Sequence, residues 1–204
     1  ALVVACNTAT SAAIHILREK YQKKMPVIGI EPALKPAVSV KESPRVFVMA
    51  TPMTLREKKF GSLMHKFQDK AQIISLPCPG LVEFVERGEL SGDGLESYLK
   101  NLFAPYLMSG TDAVVLGCTH YPLLRSLIGD MMGDQVTLVN PAYETALQLK
   151  ELLQEHGIAS DTKPQGENPY EFYVSDAAES FRDFANAILP IDIDRAKKIN
   201  IEAY

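Results

Sequence analysis

Of the three cysteines in the chain, Cys6, Cys78 and Cys118, two stand in matching settings. Val3-Val4-Ala5-Cys6-Asn7-Thr8 and Val114-Val115-Leu116-Gly117-Cys118-Thr119 each run from an apolar stretch through a cysteine to a small polar residue, then into a helical pattern. A thiol between a strand and a helix lies by the helix N-terminus, where partial positive charge favours the thiolate. A free thiol ionises near pH ~8.5, so modest help makes it a base near neutrality. Two such thiols facing each other across a cleft make an acid–base pair. One removes a proton from carbon, the other returns a proton to the opposite face, and the stereocentre inverts. Asn7, Thr8 and Thr119 add short neutral hydrogen-bonding groups. So do Thr51 and Thr54 at a third strand end, Ala50-Thr51-Pro52-Met53-Thr54. Helix N-termini at such places also offer backbone N–H groups to a carboxylate.

The plainer alternatives bear on each residue. A single Cys after a strand is ordinarily a small buried hydrophobe; the repeated context of Cys6 and Cys118 counts against that, whereas Cys78, between two prolines, fits it. His120, two residues after Cys118, is placed to tune that thiol or exchange protons with it. His15, His65 and His156 read as structural or solvated. Glu83 and Glu86 share one face of a short helix, which on pattern alone reads as a wetted surface. Cys118 and His120 are metal-ligand types, but no CxxC or HxxxH pair accompanies them, so no metal is expected. Neither GxGxxG after a strand nor GxxxxGK[ST] occurs, which leaves no dinucleotide or P-loop site.

The elements that must hold these residues alternate. Apolar runs at 2–5, 26–30, 45–50, 72–76, 112–116, 136–139 and 171–174 read as strands. Helical patterns cover 8–22, 54–68, the stretch up to Arg87, 94–107, 121–131, 141–156 and 176–188. Residues 157–169 read as a loop, and 191–204 fits no element. This order predicts an α/β fold with mainly parallel sheets flanked by helices, and a ligand site at the C-terminal strand ends.

Composition agrees with a folded, soluble chain. The 204 residues are 47% hydrophobic and 23% charged, so the protein is neither disordered nor fibrous. A net charge of −4 speaks against a nucleic-acid surface. No apolar run approaches a membrane span, and a sparse, odd set of cysteines predicts a reducing cytoplasm rather than a disulfide framework.

At ACNTAT and LGCTHYPLL the sequence resembles the glutamate racemases of the aspartate/glutamate racemase superfamily. The likeness extends through Gly29-Ile30-Glu31-Pro32, Ala50 to Thr54, and Cys78-Pro79 to Val85-Glu86. It implies interconversion of L- and D-glutamate without a cofactor, with D-glutamate feeding bacterial peptidoglycan. Cys6 and Cys118 match the two catalytic thiols, taking the α-proton from D- and L-glutamate respectively. His120 and Glu86 match the helpers of the second thiol. Asn7, Thr8, Thr51, Thr54 and Thr119 match groups that bind the substrate's carboxylates and ammonium. The family fold has two similar lobes with the site in the cleft between them. Here that implies 1–30 with 139–204 as one lobe and 31–138 as the other. Bare apolar edges on an incomplete parallel sheet would favour aggregation or pairing with a second copy, so a homodimer is one expected assembly.

The likeness has departures. The chain opens at Ala1 directly in a core-like strand, and the family's first strand with its Asp-Ser-Gly loop and its Tyr-containing loop has no counterpart. The expectation is therefore an incomplete first lobe preceded by further residues, and weak or absent activity of these 204 residues alone. Val139-Asn140-Pro141-Ala142 stands where many members have an Asp-Ser pair. Two alternatives remain: a related racemase acting on aspartate or a hydantoin, and a non-catalytic binding or inhibitory protein whose thiols are simply buried.

Overall fold

In the computed structural model, described for residues 1–106, 110–160, 162 and 170–203, two stretches form separate compact units, Ala1–Ala159 and Ser160–Tyr204. The first contains two parallel sheets. The smaller pairs β1 (Leu2–Val4) with β2 (Val27–Gly29), joined by α1 (Asn7–Tyr21). After a one-turn helix, α2 (Leu34–Ala37), come β3 (Arg45–Ala50), α3 (Pro52–Arg56), α4 (Lys58–Phe67) and β4 (Gln72–Pro77). Next are α5 (Leu81–Glu86), α6 (Asp93–Phe103), β5 (Ala113–Leu116), α7 (Arg125–Met132), β6 (Thr137–Val139) and α8 (Pro141–Glu155).

The larger sheet has the order β4-β3-β5-β6 with every pair parallel. Its central strands read Val-Phe-Val-Met-Ala and Ala-Val-Val-Leu, and all of these residues are buried. Unbroken apolar runs are what a parallel strand covered on both faces requires. Side chains alternate, so the two faces build two core layers. Val46, Val48, Ala113 and Val115 pack with Leu34, Ala37, Phe60 and Phe67 from the helical side chains of α2 and α4. On the opposite face Phe47 meets Tyr106, just past α6, edge-on at 5.0 Å. The strand order fixes where a ligand crevice lies. From β3 the chain turns to β4 on one side, then crosses back so that β5 lies on the other side of β3. The crevice of such a sheet opens between the strands whose connections depart in opposite directions, at their C-terminal ends. Those strands are β3, followed by Thr51, and β5, followed by Gly117 and Cys118.

The second unit, Ser160–Tyr204, pairs β7 (Phe172–Val174) with β8 (Ala196–Lys198) in parallel, with α9 (Ala178–Ile188) between them in sequence. The Asn186 side chain ties α9 to the segment before β8 by donating to the Ile193 carbonyl at 3.1 Å and accepting from its N–H at 2.7 Å.

The strands expected from the sequence are all present, within a residue or two. Three expectations need correction. The helical pattern at 54–68 is two helices, because Glu57 adopts extended backbone and ends α3 while capping α4. The helix expected from Tyr121 opens as a 3-10 turn, Tyr121–Leu124, before α7 begins. The tail, which fitted no element, contributes β8, whose Ala-Lys-Lys sequence carries no apolar run to announce it. Residue 107 of the expected helix 94–107, most of the loop 157–169 and Tyr204 lie outside the described residues.

Candidate active site

Cys6 is the N-cap residue of α1, extended in backbone, exposed, with its carbonyl accepting from Thr10 at 2.8 Å. Asn7 opens the helix and is buried. Its Nδ2 donates to the carbonyl of Gly117 at 3.0 Å. One residue past the first thiol is thereby joined to one residue before the second. Thr8 reaches Thr54, their hydroxyls 3.0 Å apart, and Thr54 reaches the Thr51 hydroxyl at 3.0 Å. Thr51 is the N-cap of α3, its Oγ1 accepting from the Thr54 N–H at 3.2 Å. The three hydroxyls form one chain bridging the strand ends of β1 and β3, with Thr54 its buried centre.

The residues after β5 form a second group. Cys118 Sγ lies 3.7 Å from His120 Nδ1, and the Thr119 hydroxyl lies 3.3 Å from the same nitrogen. On the other side of the ring, His120 Nε2 is 3.3 Å from Glu86 Oε1. Glu86 is the last residue of α5. That helix can begin where it does because Gly80 takes a left-handed φ of 80° at its N-cap, which turns the chain sharply after Cys78-Pro79. Glu83, the alternative carboxylate on α5, has no such partner in the His120 group, so the shared-face ambiguity resolves to Glu86. The Glu86 side chain is 62% exposed, so the ion pair with His120 is worth little to stability and leaves a proton path to solvent.

The thiols differ. Burial pushes the Cys118 thiol above the ordinary value, outweighing the N–H group of His120 and the Thr119 hydroxyl that favour the thiolate; the proximity of Cys6 raises it further. This corrects the expectation that a helix N-terminus lowers it. Thr119 and His120 separate Cys118 from a single 3-10 turn, too short to supply a macrodipole. Cys78 is fully buried, its Sγ–H donating to the Leu76 carbonyl at 3.3 Å, and burial lifts it to about 12. It is the structural cysteine that its proline setting suggested. Its carbonyl accepts from the buried Tyr121 hydroxyl at 3.4 Å, which sequence reasoning did not single out. The signal was present, since Tyr121 directly follows His120.

Eight of the nine proposed site residues form two groups, the Thr8–Thr54–Thr51 hydroxyls and the Cys118–Thr119–His120–Glu86 series, joined through Asn7 and Gly117; Cys6 stands exposed at the N-cap of α1, next to Asn7. Behind the first lies a small cavity of about 20 Å³ lined by Asn7, Thr10, Thr54 and Glu31. The Asn7 Oδ1 is buried without a hydrogen-bond partner among the described residues. No group of three or more His, Cys, Asp or Glu among the described residues is placed to hold a metal ion. No described helix is long and apolar enough to cross a membrane.

The Asp/Glu/Hydantoin racemase family model matches residues 1–149. The chain belongs to this family. Glutamate racemase of Clostridium perfringens is 47% identical over 166 residues, which is 81% of this chain and 64% of that relative. The chain therefore spans somewhat less than two thirds of the length of the curated relatives it matches. Glutamate racemase from Francisella tularensis, solved with D-glutamate, superposes with a TM-score of 0.82 at 29% identity, covering 100% of this chain and 75% of that one. The Escherichia coli glutamate racemase, solved with L-glutamate and an activator, gives 0.79 at 29% identity, covering 97% and 73%. In this racemase-family chain the strand ends of β1 and β5, followed by Cys6 and Cys118, are linked by the bond from Asn7 to Gly117.

Proposed function

We propose that the protein interconverts L- and D-glutamate without a cofactor, Cys6 and Cys118 each serving one direction of proton transfer. The observation that carries this reading is the pairing of the two thiol-bearing strand ends through Asn7 and Gly117. Support for glutamate as substrate comes from relatives named glutamate racemase and from neighbours solved with either enantiomer. Residues 1–30 and 31–138 supply the two faces of the site in this reading.

The chemistry balances without a second reactant. The Cys6 thiolate takes the α-proton of D-glutamate: the C–H bond breaks, its electron pair stays on the α-carbon, and an S–H bond forms. The Cys118 thiol gives its proton to the opposite face of that carbon. L-glutamate results, with Cys6 now a thiol and Cys118 a thiolate. The reverse reaction exchanges the roles. Burial keeps Cys118 protonated at rest, which suits it to donate first. His120 and the exposed Glu86 then pass a proton from water to Cys118, and the exposed Cys6 releases its proton to water, which restores both cysteines to their resting state. Thr8, Thr51, Thr54, Thr119 and the N–H groups at the start of α1 hold the carboxylates and ammonium. A D-glutamate product would serve peptidoglycan synthesis in the cytoplasm.

The test is α-proton exchange of glutamate in deuterated water, followed by proton NMR. Two proteins are compared: the 204-residue chain and the full-length C. perfringens relative, of which the match covers 64%. Both should exchange both enantiomers, the chain more slowly. In the chain, Cys6→Ser or Cys118→Ser should slow exchange by about 10²–10⁴. Near-normal exchange in either variant refutes the two-thiol scheme. Exchange of aspartate with glutamate inert reassigns the substrate within the family. Loss of activity on chelation, restored by zinc, would overturn the cofactor-free reading.

A further inference from the structure

We infer that Asn7 is a positioning residue whose side chain sets the separation of the two thiols. The inference rests on the reading of Cys6 and Cys118 as a pair. Cys6 and Asn7 are consecutive in the chain, as are Gly117 and Cys118, so a thiol-bearing residue adjoins each partner of the Asn7–Gly117 hydrogen bond. That bond joins the strand end of the smaller sheet to the strand end of the larger one. Its acceptor end is rigid. Gly117 donates to the Met49 carbonyl at 2.8 Å, and a Cβ on Gly117 would lie 2.5 Å from that same carbonyl oxygen. Only glycine lets β5 lie this close to β3 at its end, so the Gly117 carbonyl is fixed to the central strand. Its donor end is rigid too, because Asn7 is the first residue of a fifteen-residue helix and is 4% exposed.

The chemistry at the position is selective. The Asn7 carboxamide nitrogen is committed to Gly117, and the oxygen is buried without a partner among the described residues. A leucine of similar size would remove the unpaired Oδ1 but would strip the buried Gly117 carbonyl of this donor. What leucine cannot do is bind the carbonyl beside Cys118. Aspartate would turn an acceptor toward an acceptor, and serine is too short to span the gap.

The experiment reads spacing directly, on the 204-residue protein. Bis-methanethiosulfonate reagents of graded spacer length join Cys6 to Cys118, and the cross-linked peptide is quantified by mass spectrometry. Buried Cys78 stays silent. The wild type should show one sharply preferred spacer. Asn7→Leu and Asn7→Asp should broaden that preference and slow reaction at the best spacer about tenfold, as effective molarity falls. A cooperative melting curve for each variant guards against failure to fold. In the wild type, the Asn7 carboxamide protons should exchange with solvent far more slowly than those of exposed Asn101. An unchanged spacer preference in both variants, or Asn7 protons exchanging as fast as those of Asn101, overturns the proposal. So does a rise in KM for glutamate with the spacer preference intact, which would make Asn7 a substrate ligand instead. Absence of racemisation altogether would leave the cross-linking result standing, so the two readings fail separately.

Discussion

The three cysteines should separate cleanly in alkali, and Cys78 gives the sharpest case. Its thiol is lifted from 9.0 to about 12 by burial in the folded protein. Below pH 9 it is protonated folded and unfolded alike, and contributes nothing to the pH dependence. Between pH 9 and 12 the unfolded chain releases the proton while the folded chain holds it. Stability therefore falls as pH rises through that window, since the unfolded state binds fewer protons. For one such group the loss is about 1.4 kcal/mol at pH 10 and about 2.7 kcal/mol at pH 11. Cys78→Ala removes the term. It also leaves a small void, costing about 1 kcal/mol at pH 8. The variant should be the less stable protein at pH 8, draw level near pH 10 and overtake the wild type above it. Burial holds Tyr121 and the half-buried Tyr98 protonated in both folded proteins over this range, so their contribution cancels in the difference.

Urea unfolding of both proteins at pH 8, 9 and 10 measures this. A difference in unfolding free energy that does not change with pH would refute the argument. It would mean that Cys78 is ionised in the folded state, and hence that the thiol is wetted. The same logic orders thiol reactivity at pH 8: exposed Cys6 first, half-buried Cys118 second, Cys78 only on unfolding.

Replacing Thr54 by Val removes the hydroxyl shared by Thr8 and Thr51, and should cost about 1–2 kcal/mol, read as a lowered melting temperature. Thr51→Ala removes the N-cap of α3 and should cost about 1 kcal/mol in the same assay. His120→Gln should slow iodoacetamide alkylation of Cys118 while leaving Cys6 unaffected, because only Cys118 has the imidazole at 3.7 Å; equal slowing of both would argue against that contact. Gly117→Ala should destabilise by about 1–3 kcal/mol, because the new methyl meets backbone that cannot yield; a neutral Gly117→Ala would mean that the β3 and β5 ends are further apart than described.

Much of this was legible in the chain because burial on both faces leaves a plain mark. The Val-Phe-Val-Met and Ala-Val-Val-Leu runs can only be covered strands, and their spacing implies helices between them. The Cys118 context was legible for the same reason, because it follows such a run; the apolar run before Cys6 is not covered in this way, since Val3 is 39% exposed, which corrects the expectation of a core-like strand there. Other features left no mark. A break at Glu57 depends on the backbone of one residue with ordinary helix propensity. Strand β8 is short and polar, so nothing in Ala-Lys-Lys distinguishes it from loop. The raised Cys118 thiol was misread because a strand-then-helix pattern does not tell a 3-10 turn from an α-helix, nor how deeply the sulfur lies. The direction of its shift is a property of the fold, not of its neighbours in sequence.

The reversal of strand order explains why residues so far apart in the chain converge. Thr51 and Cys118 are 67 positions apart, yet β3 and β5 lie in register with Met49 beside Leu116, so the next residues emerge side by side. No helix can cover that point, because the chain leaves β3 toward β4 and leaves β5 toward β6, in opposite directions. The crevice left open is then filled from outside the sheet, by the first turn of α1. Its Asn7 bonds Gly117 and its Thr8 bonds Thr54. The two bonds land on different strand ends, one past β5 and one past β3, and so fix α1 against rotation about its own axis as well as against withdrawal. Cys6, as the N-cap of that helix, inherits the constraint. An exposed thiol on a surface helix would ordinarily sample several positions. Here the two bonds limit that freedom, and this is the condition a proton transfer to one face of a carbon atom demands.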